Sequence, residues 1–162
     1  PTMKKMTKLM AILLVVVSAL SLVACSSKYG ALKSTFEKNG YTESQDVESW
    51  NKKITAEIKG DEDKDMVTNV HVFYKKTDKD TTIGDLLTRN VILVLEFKAT
   101  EDMMKFYNES NTAQGAVKDI QKSEDAKAFY NSLVEAGYAN GNCLVLAIGL
   151  DTASVREMVK KA

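Results

Sequence analysis

Proton transfer and nucleophilic attack require a histidine or an activated thiol held by a partner. The 162-residue chain offers one histidine, His71, and two cysteines, Cys25 and Cys143. His71 stands between Val70 and Val72 in a β-rich stretch, the setting of a structural histidine more often than a catalytic one. Cys143 opens the run Cys143-Leu-Val-Leu-Ala-Ile148, whose apolar surroundings disfavour a thiolate and leave the sulfur inert. One histidine and one remaining cysteine are too few for zinc. Neither a Gly-x-Ser-x-Gly elbow nor a Walker loop nor a His-Glu-x-x-His pair occurs. Asp61-Glu-Asp-Lys-Asp65 begins like a calcium loop, but Met66 stands where the sharp turn needs glycine and Val72 where a bidentate glutamate belongs. Asp78 and Asp80 form a second acidic pair; a strand of about nine residues, roughly 30 Å long, separates it from the first. Both acidic loops therefore read as solvated turns. No catalytic, cofactor-binding or metal-ligating residue is expected.

Chemistry is written into the first 25 residues instead. Lys4, Lys5 and Lys8 precede an apolar run from Leu9 to Val17, and small residues lead to Leu22-Val23-Ala24-Cys25. Sixteen positions from Leu9 to Ala24, two of them serine, are short of the about 20 apolar residues of a permanent span. They match the three zones of a signal sequence, with the lysines retained on the cytoplasmic side. Pro1 and Thr2 precede Met3, which reads as the natural start. Leu22-Val23-Ala24-Cys25 resembles the lipobox of bacterial lipoproteins at all four positions. The resemblance implies a diacylglyceryl thioether on Cys25, cleavage between Ala24 and Cys25, and a lipid anchor on the extracytoplasmic face of the cell membrane. At about 0.8 kcal/mol per methylene, two palmitate-length chains supply roughly 20 kcal/mol of anchoring.

Without residues 1–24 the chain has 138 residues, enough for one domain with its own core. The 22 basic and 22 acidic residues become 19 and 22 once the three signal lysines are removed, a net charge of about −3. A mildly acidic, mixed surface argues against nucleic acid, which needs a basic stripe, and against a polybasic membrane surface. With Cys25 lipidated, Cys143 stands alone, and an intramolecular disulfide is excluded. Ser26 to Lys28 reads as a short tether after the lipidated cysteine, and residues 29–162 as a single α+β domain.

Within that domain, Leu32 and Phe36 repeat at helical spacing and Gly40 is placed to end the helix. Tyr41-Thr42 starts a short strand. Val47, Trp50, Ile54 and Ile58 form a helical stripe with Trp50 as a core anchor, although Ile54 to Ile58 also alternates as a strand would. Met66–Tyr74 is β-rich. A polar loop follows (Lys75–Thr82), then a turn of helix at Ile83–Leu87. Val91–Phe97 is the clearest strand. Thr100 caps a helix with Glu101 and Asp102 in its first turn, and Ala113–Ile120 continues helically. Ser123-Glu-Asp125 caps another, with Phe129, Leu133 and Ala136 inward and Gly137 as its stop. Cys143–Ile148 is a buried strand, and Asp151 or Thr152 caps a closing helix with Val155, Met158 and Val159 inward. Two segments echo each other: Thr100-Glu-Asp-Met-Met-Lys-Phe-Tyr-Asn108 and Ser123-Glu-Asp-Ala-Lys-Ala-Phe-Tyr-Asn131. Duplication and the small vocabulary of capped amphipathic helices both account for this.

The order of elements predicts a mainly antiparallel, four-stranded, ferredoxin-like βαββαβ sheet with extra N- and C-terminal helices. Strands apolar at nearly every position need cover on both faces; a bare ferredoxin-like unit covers one, and helices at 29–39 and 152–161, or a partner, can cover the other. This organisation resembles the small uncharacterised lipoproteins of Gram-positive bacteria, a resemblance that implies no activity. The functional expectation is a non-catalytic binding or interaction domain in the cell envelope, facing an envelope protein, peptide or glycan. The alternative is an envelope hydrolase or accessory enzyme using carboxylates. A two-lobed solute receptor needs a longer chain.

Overall fold

Leu32 and Phe36 lie one above the other on helix α1 (28–38), and both are fully buried. Gly40 follows with φ +90°, the left-handed conformation that glycine adopts without steric cost. The computed structural model describes residues 28–75, 90–121 and 123–162. The signal segment, Cys25 and the helical turn expected at Ile83–Leu87 lie outside these residues, as does the polar loop beyond Lys75.

The chain then forms β1 (Tyr41–Glu43), α2 (Glu48–Glu57), a 3-10 turn (Asp61–Asp63), β2 (Val67–Lys75) and β3 (Val91–Phe97). Next come α3 (Thr100–Glu109), α4 (Asn111–Ala116), α5 (Ala126–Ala136), β4 (Ala139–Asn140), β5 (Cys143–Ile148) and α6 (Thr152–Lys161). The helical stripe wins at Val47–Ile58 because Trp50 and Ile54 enter the core together. Two caps differ from expectation. Ala99 is the N-cap of α3, so Thr100 is its first helical residue and makes no cap bond. The helix expected over Ala113–Ile120 ends at Ala116, and Ser110 begins it by accepting from the amide of Ala113. Asp125 caps α5 as expected, accepting from the amides of Lys127 and Ala128.

Among the described residues, the expected four-stranded ferredoxin-like sheet is replaced by five strands in the order β1-β2-β3-β5-β4, with every neighbouring pair antiparallel. A split βαβ unit needs a crossover that returns a strand parallel to an earlier one. Here Glu43 pairs with Phe73 near the end of β2, and α2 with residues 58–66 spans the about 20 Å to Val67 at the other end. The chain re-enters from there and runs back antiparallel. The fifth strand, β4, is two residues long and closes a hairpin through Gly141 and Asn142.

Alternation divides the sheet residues between two cores. Val70, Val72, Leu93, Leu95, Leu144 and Leu146 face α2 to α5, packing with Trp50, Ile54, Met103, Phe106, Phe129 and Leu133. Phe73, Ile92, Val94, Cys143 and Val145 face α1 and α6, packing with Leu32, Phe36, Val155 and Val159. The terminal helices thus cover the second face of the sheet. Among the described residues no helix is long and apolar enough to cross a membrane.

Candidate functional site

Among the described residues, two groupings are candidate sites. The first lies on the α1 side of the sheet, where strand alternation turns Glu43, His71, Glu96 and Cys143 toward the same core as Phe73, Val94 and Val145. Glu43 Oε1 lies 3.2 Å from His71 Nδ1, and Glu96 Oε2 lies 2.9 Å from His71 Nε2. The Tyr29 ring stacks on the imidazole at 3.8 Å, and its hydroxyl donates to Glu43 Oε1 at 2.7 Å. Lys33 Nζ closes the group on Glu43 Oε2 at 2.7 Å. Both carboxylates accept, and a neutral imidazole donates from one nitrogen only. Satisfying both contacts therefore takes a proton on each ring nitrogen or on one carboxyl.

The electrostatics follow from these contacts. Burial penalises the Glu43 carboxylate, but the hydrogen bonds from Lys33, Tyr29 and His71 outweigh it and hold the carboxyl below its ordinary range. Burial, with the adjoining Glu43, pushes the Tyr29 phenol far up. The same carboxylate raises Lys33 through its hydrogen bond. The two glutamates sit on opposite edges of the ring, so they cannot converge on one metal ion together with the histidine. This group is a clamp: it ties α1 to β1, β2 and β3.

The second place is a cleft of about 480 Å³. One wall is α4, with Asn111, Thr112, Gly115 and Ala116; the other is the start of α6, with Thr152, Val155 and Arg156. Its floor is the outer edge of β5 at Val145, Ala147 and Ile148, and Lys53 and Lys118 reach its rim. Arg156 donates to Asp119 at 2.8 Å and to the Tyr138 hydroxyl at 3.0 Å, and its guanidinium lies 5.4 Å from the Tyr138 ring centre. The hydrogen bond to Asp119 raises the Arg156 pKa further. Gly137 makes this junction feasible: its φ is +83°, and a β-carbon there would stand 2.4 Å from the carbonyl oxygen of Arg156.

The acidic cluster behaves as an exposed turn. Asp61 pairs with Lys64 at 2.5 Å, and Asp63 faces Lys105 at 3.6 Å. Cys143 is fully buried beside Glu96. Asp151 occupies the N-cap position of α6 without capping it; its carboxylate goes to Lys75 and to the Tyr41 hydroxyl, and the Lys75 hydrogen bond holds it below the usual range. Periodicity alone did not reveal Glu43 and Glu96. A signal for Glu96 exists nonetheless, since it shares a strand face with Ile92 and Val94 and an inward charge requires a partner. Gly141-Asn142 likewise carries the two-residue hairpin signal for β4.

Comparison of the chain with protein-family models, with curated proteins and with solved structures gives no match.

Proposed function

We propose that this chain is an extracytoplasmic lipoprotein, held to the cell membrane by a diacylglyceryl group on Cys25, whose α+β domain is a non-catalytic binding module of the cell envelope. The lipobox Leu22-Val23-Ala24-Cys25 supports the address. The observation that carries the binding half is the cleft beside β5. It brings an open strand edge together with Lys53, Lys118 and Arg156, the composition of a recognition groove. Carboxylate-based hydrolysis needs two acids facing a common reaction volume; Asp119 lines this cleft already ion-paired to Arg156. Glu43 and Glu96 are engaged with His71 and do not line the cleft.

The test of the address is Cys25→Ala in the native host. The variant is expected to remain an unacylated precursor and to take up no labelled palmitate, whereas the wild-type protein incorporates the label and partitions into detergent. Normal acylation of the variant would overturn the assignment.

A further inference from the structure

Backbone hydrogen-bond geometry specifies what the cleft offers. The amide of Phe97 donates to the carbonyl of Asn142 at 2.9 Å, so even-numbered residues of β5 exchange bonds with β3. Odd-numbered residues point to the other edge. There β4 satisfies only the first of them: the hairpin pairs Asn140 with Cys143, and the amide of Val145 donates to the carbonyl of Tyr138 at 2.7 Å. The Tyr138 amide donates instead to Leu133. Among the described residues, no strand pairs with the carbonyl of Val145 or with the amide and carbonyl of Ala147. All three groups point toward the outer edge of β5, where Val145 and Ala147 line the cleft between α4 and α6. An edge with free donors and acceptors, walled by a helix on each side, is the arrangement into which an extended peptide adds as a strand.

The side chains set the chemistry of that peptide. Arg156 pairs with Asp119, so Lys53 and Lys118 leave the charged lining of the cleft net positive, on a chain with as many acidic as basic residues overall. An added β-carbon at Gly115 would meet nothing within 4 Å, so the α4 wall leaves room for the side chains of an added strand. Resting on the reading of the domain as an envelope binding module, we infer that the groove along Val145–Ile148 takes a short, extended, acidic peptide segment, which pairs with the outer edge of β5 and sets its carboxylates against Lys53 and Lys118.

The test uses the full lipidated protein in detergent micelles and a random heptapeptide display library. Selected peptides are expected to be rich in Asp and Glu at alternate positions, as strand periodicity requires. Ala147→Pro removes the outward amide while sparing the bonds to β3, because proline is tolerated at a strand edge. It should weaken the selected peptides by about tenfold or more, with an unchanged circular dichroism spectrum confirming the fold. Lys53→Glu with Lys118→Glu alters exposed residues only and should reverse the preference toward Lys- and Arg-bearing peptides. Selection without acidic preference, or binding that survives both variants, overturns the inference. Binding of soluble disaccharide-peptide fragments of the cell wall, lost in Ala147→Pro, would overturn the peptide assignment and leave the binding module standing. Self-association abolished by Ala147→Pro would mean that a second copy fills the edge, and would also overturn it. Failure of peptides and wall fragments together removes the module reading, while the Cys25 assignment stands or falls by acylation alone.

Discussion

Tyr29 and Lys33 of α1 and His71 of β2 all converge on Glu43. Its carboxyl is held below the ordinary range in the folded state, so in acid the unfolded chain binds the proton that the folded chain resists. The stability it contributes is present above about pH 4.5 and is lost as the pH falls through the folded value. Urea midpoints measured from neutral pH to about pH 3 should show this loss, and Glu43→Gln should be less stable at neutral pH with a flatter acid limb. An unchanged acid limb in the variant would place the titration elsewhere. Glycines give a second residue-scale contrast. Gly40 and Gly137 have similar φ, +90° and +83°, but a β-carbon at Gly40 meets nothing within 4 Å, whereas at Gly137 it strikes the Arg156 backbone. Gly40→Ala should cost about 1–2 kcal/mol, the left-handed penalty alone. Gly137→Ala should cost clearly more, because α5 and α6 must separate. Equal urea midpoints for the two variants would show that the junction yields without cost.

At the scale of elements, α6 is held to the sheet by the fully buried Val155 and Val159, with Met158 half-buried beside them. Burying the two valines is worth roughly 3–6 kcal/mol before entropy. Deleting residues 151–162 should lower the melting temperature by more than about 10 °C or drive self-association, because Ile92, Val94 and Val145 lose their cover. A monomeric deletion variant that melts at the wild-type temperature would make α6 a dispensable tail. On the other side of the sheet, α2 and α4 are joined by side chain rather than by sequence. Glu57 ends α2 and accepts from the Ser110 hydroxyl, from the Thr112 amide at 3.2 Å and from the Thr112 hydroxyl at 2.7 Å. It thereby serves the N-terminus of a six-residue helix that is too short to be stable alone. The echoed helices α3 and α5 lie side by side, and the Tyr107 and Phe129 rings meet at 5.0 Å.

For the whole molecule, the three layers place Cys143 at the centre of the α1–α6 core with no exposure. A thiol reagent should therefore modify it only through global unfolding, at a rate that tracks denaturant-dependent stability. Rapid labelling of the native protein would mean that α1 leaves the sheet readily. Lys28 lies three positions after Cys25, so lipidation there would set α1 directly above the membrane surface.

Several features were legible in the chain itself because their causes are local. Helix α1 with its Gly40 stop, the cap at Asp125, the apolar strands β3 and β5, and the closing helix all follow from spacing, capping chemistry and glycine conformation within a dozen residues. So did the demand for cover on both faces, since strands apolar at nearly every position admit no wet side. Strand order was not legible. Whether β1 returns parallel or antiparallel depends on where α2 and residues 58–66 deliver the chain, a property of packing rather than of pattern. The clamp was invisible for the same reason: Tyr29, Glu43, His71 and Glu96 span 67 positions and meet only across three strands and a helix. The cleft likewise exists because β4 is two residues long and leaves part of β5 unpaired. Local sequence determined which segments form and which faces they bury; only the tertiary structure decided which charges become neighbours and which strand edge stays open, because both depend on contacts between residues far apart in the chain.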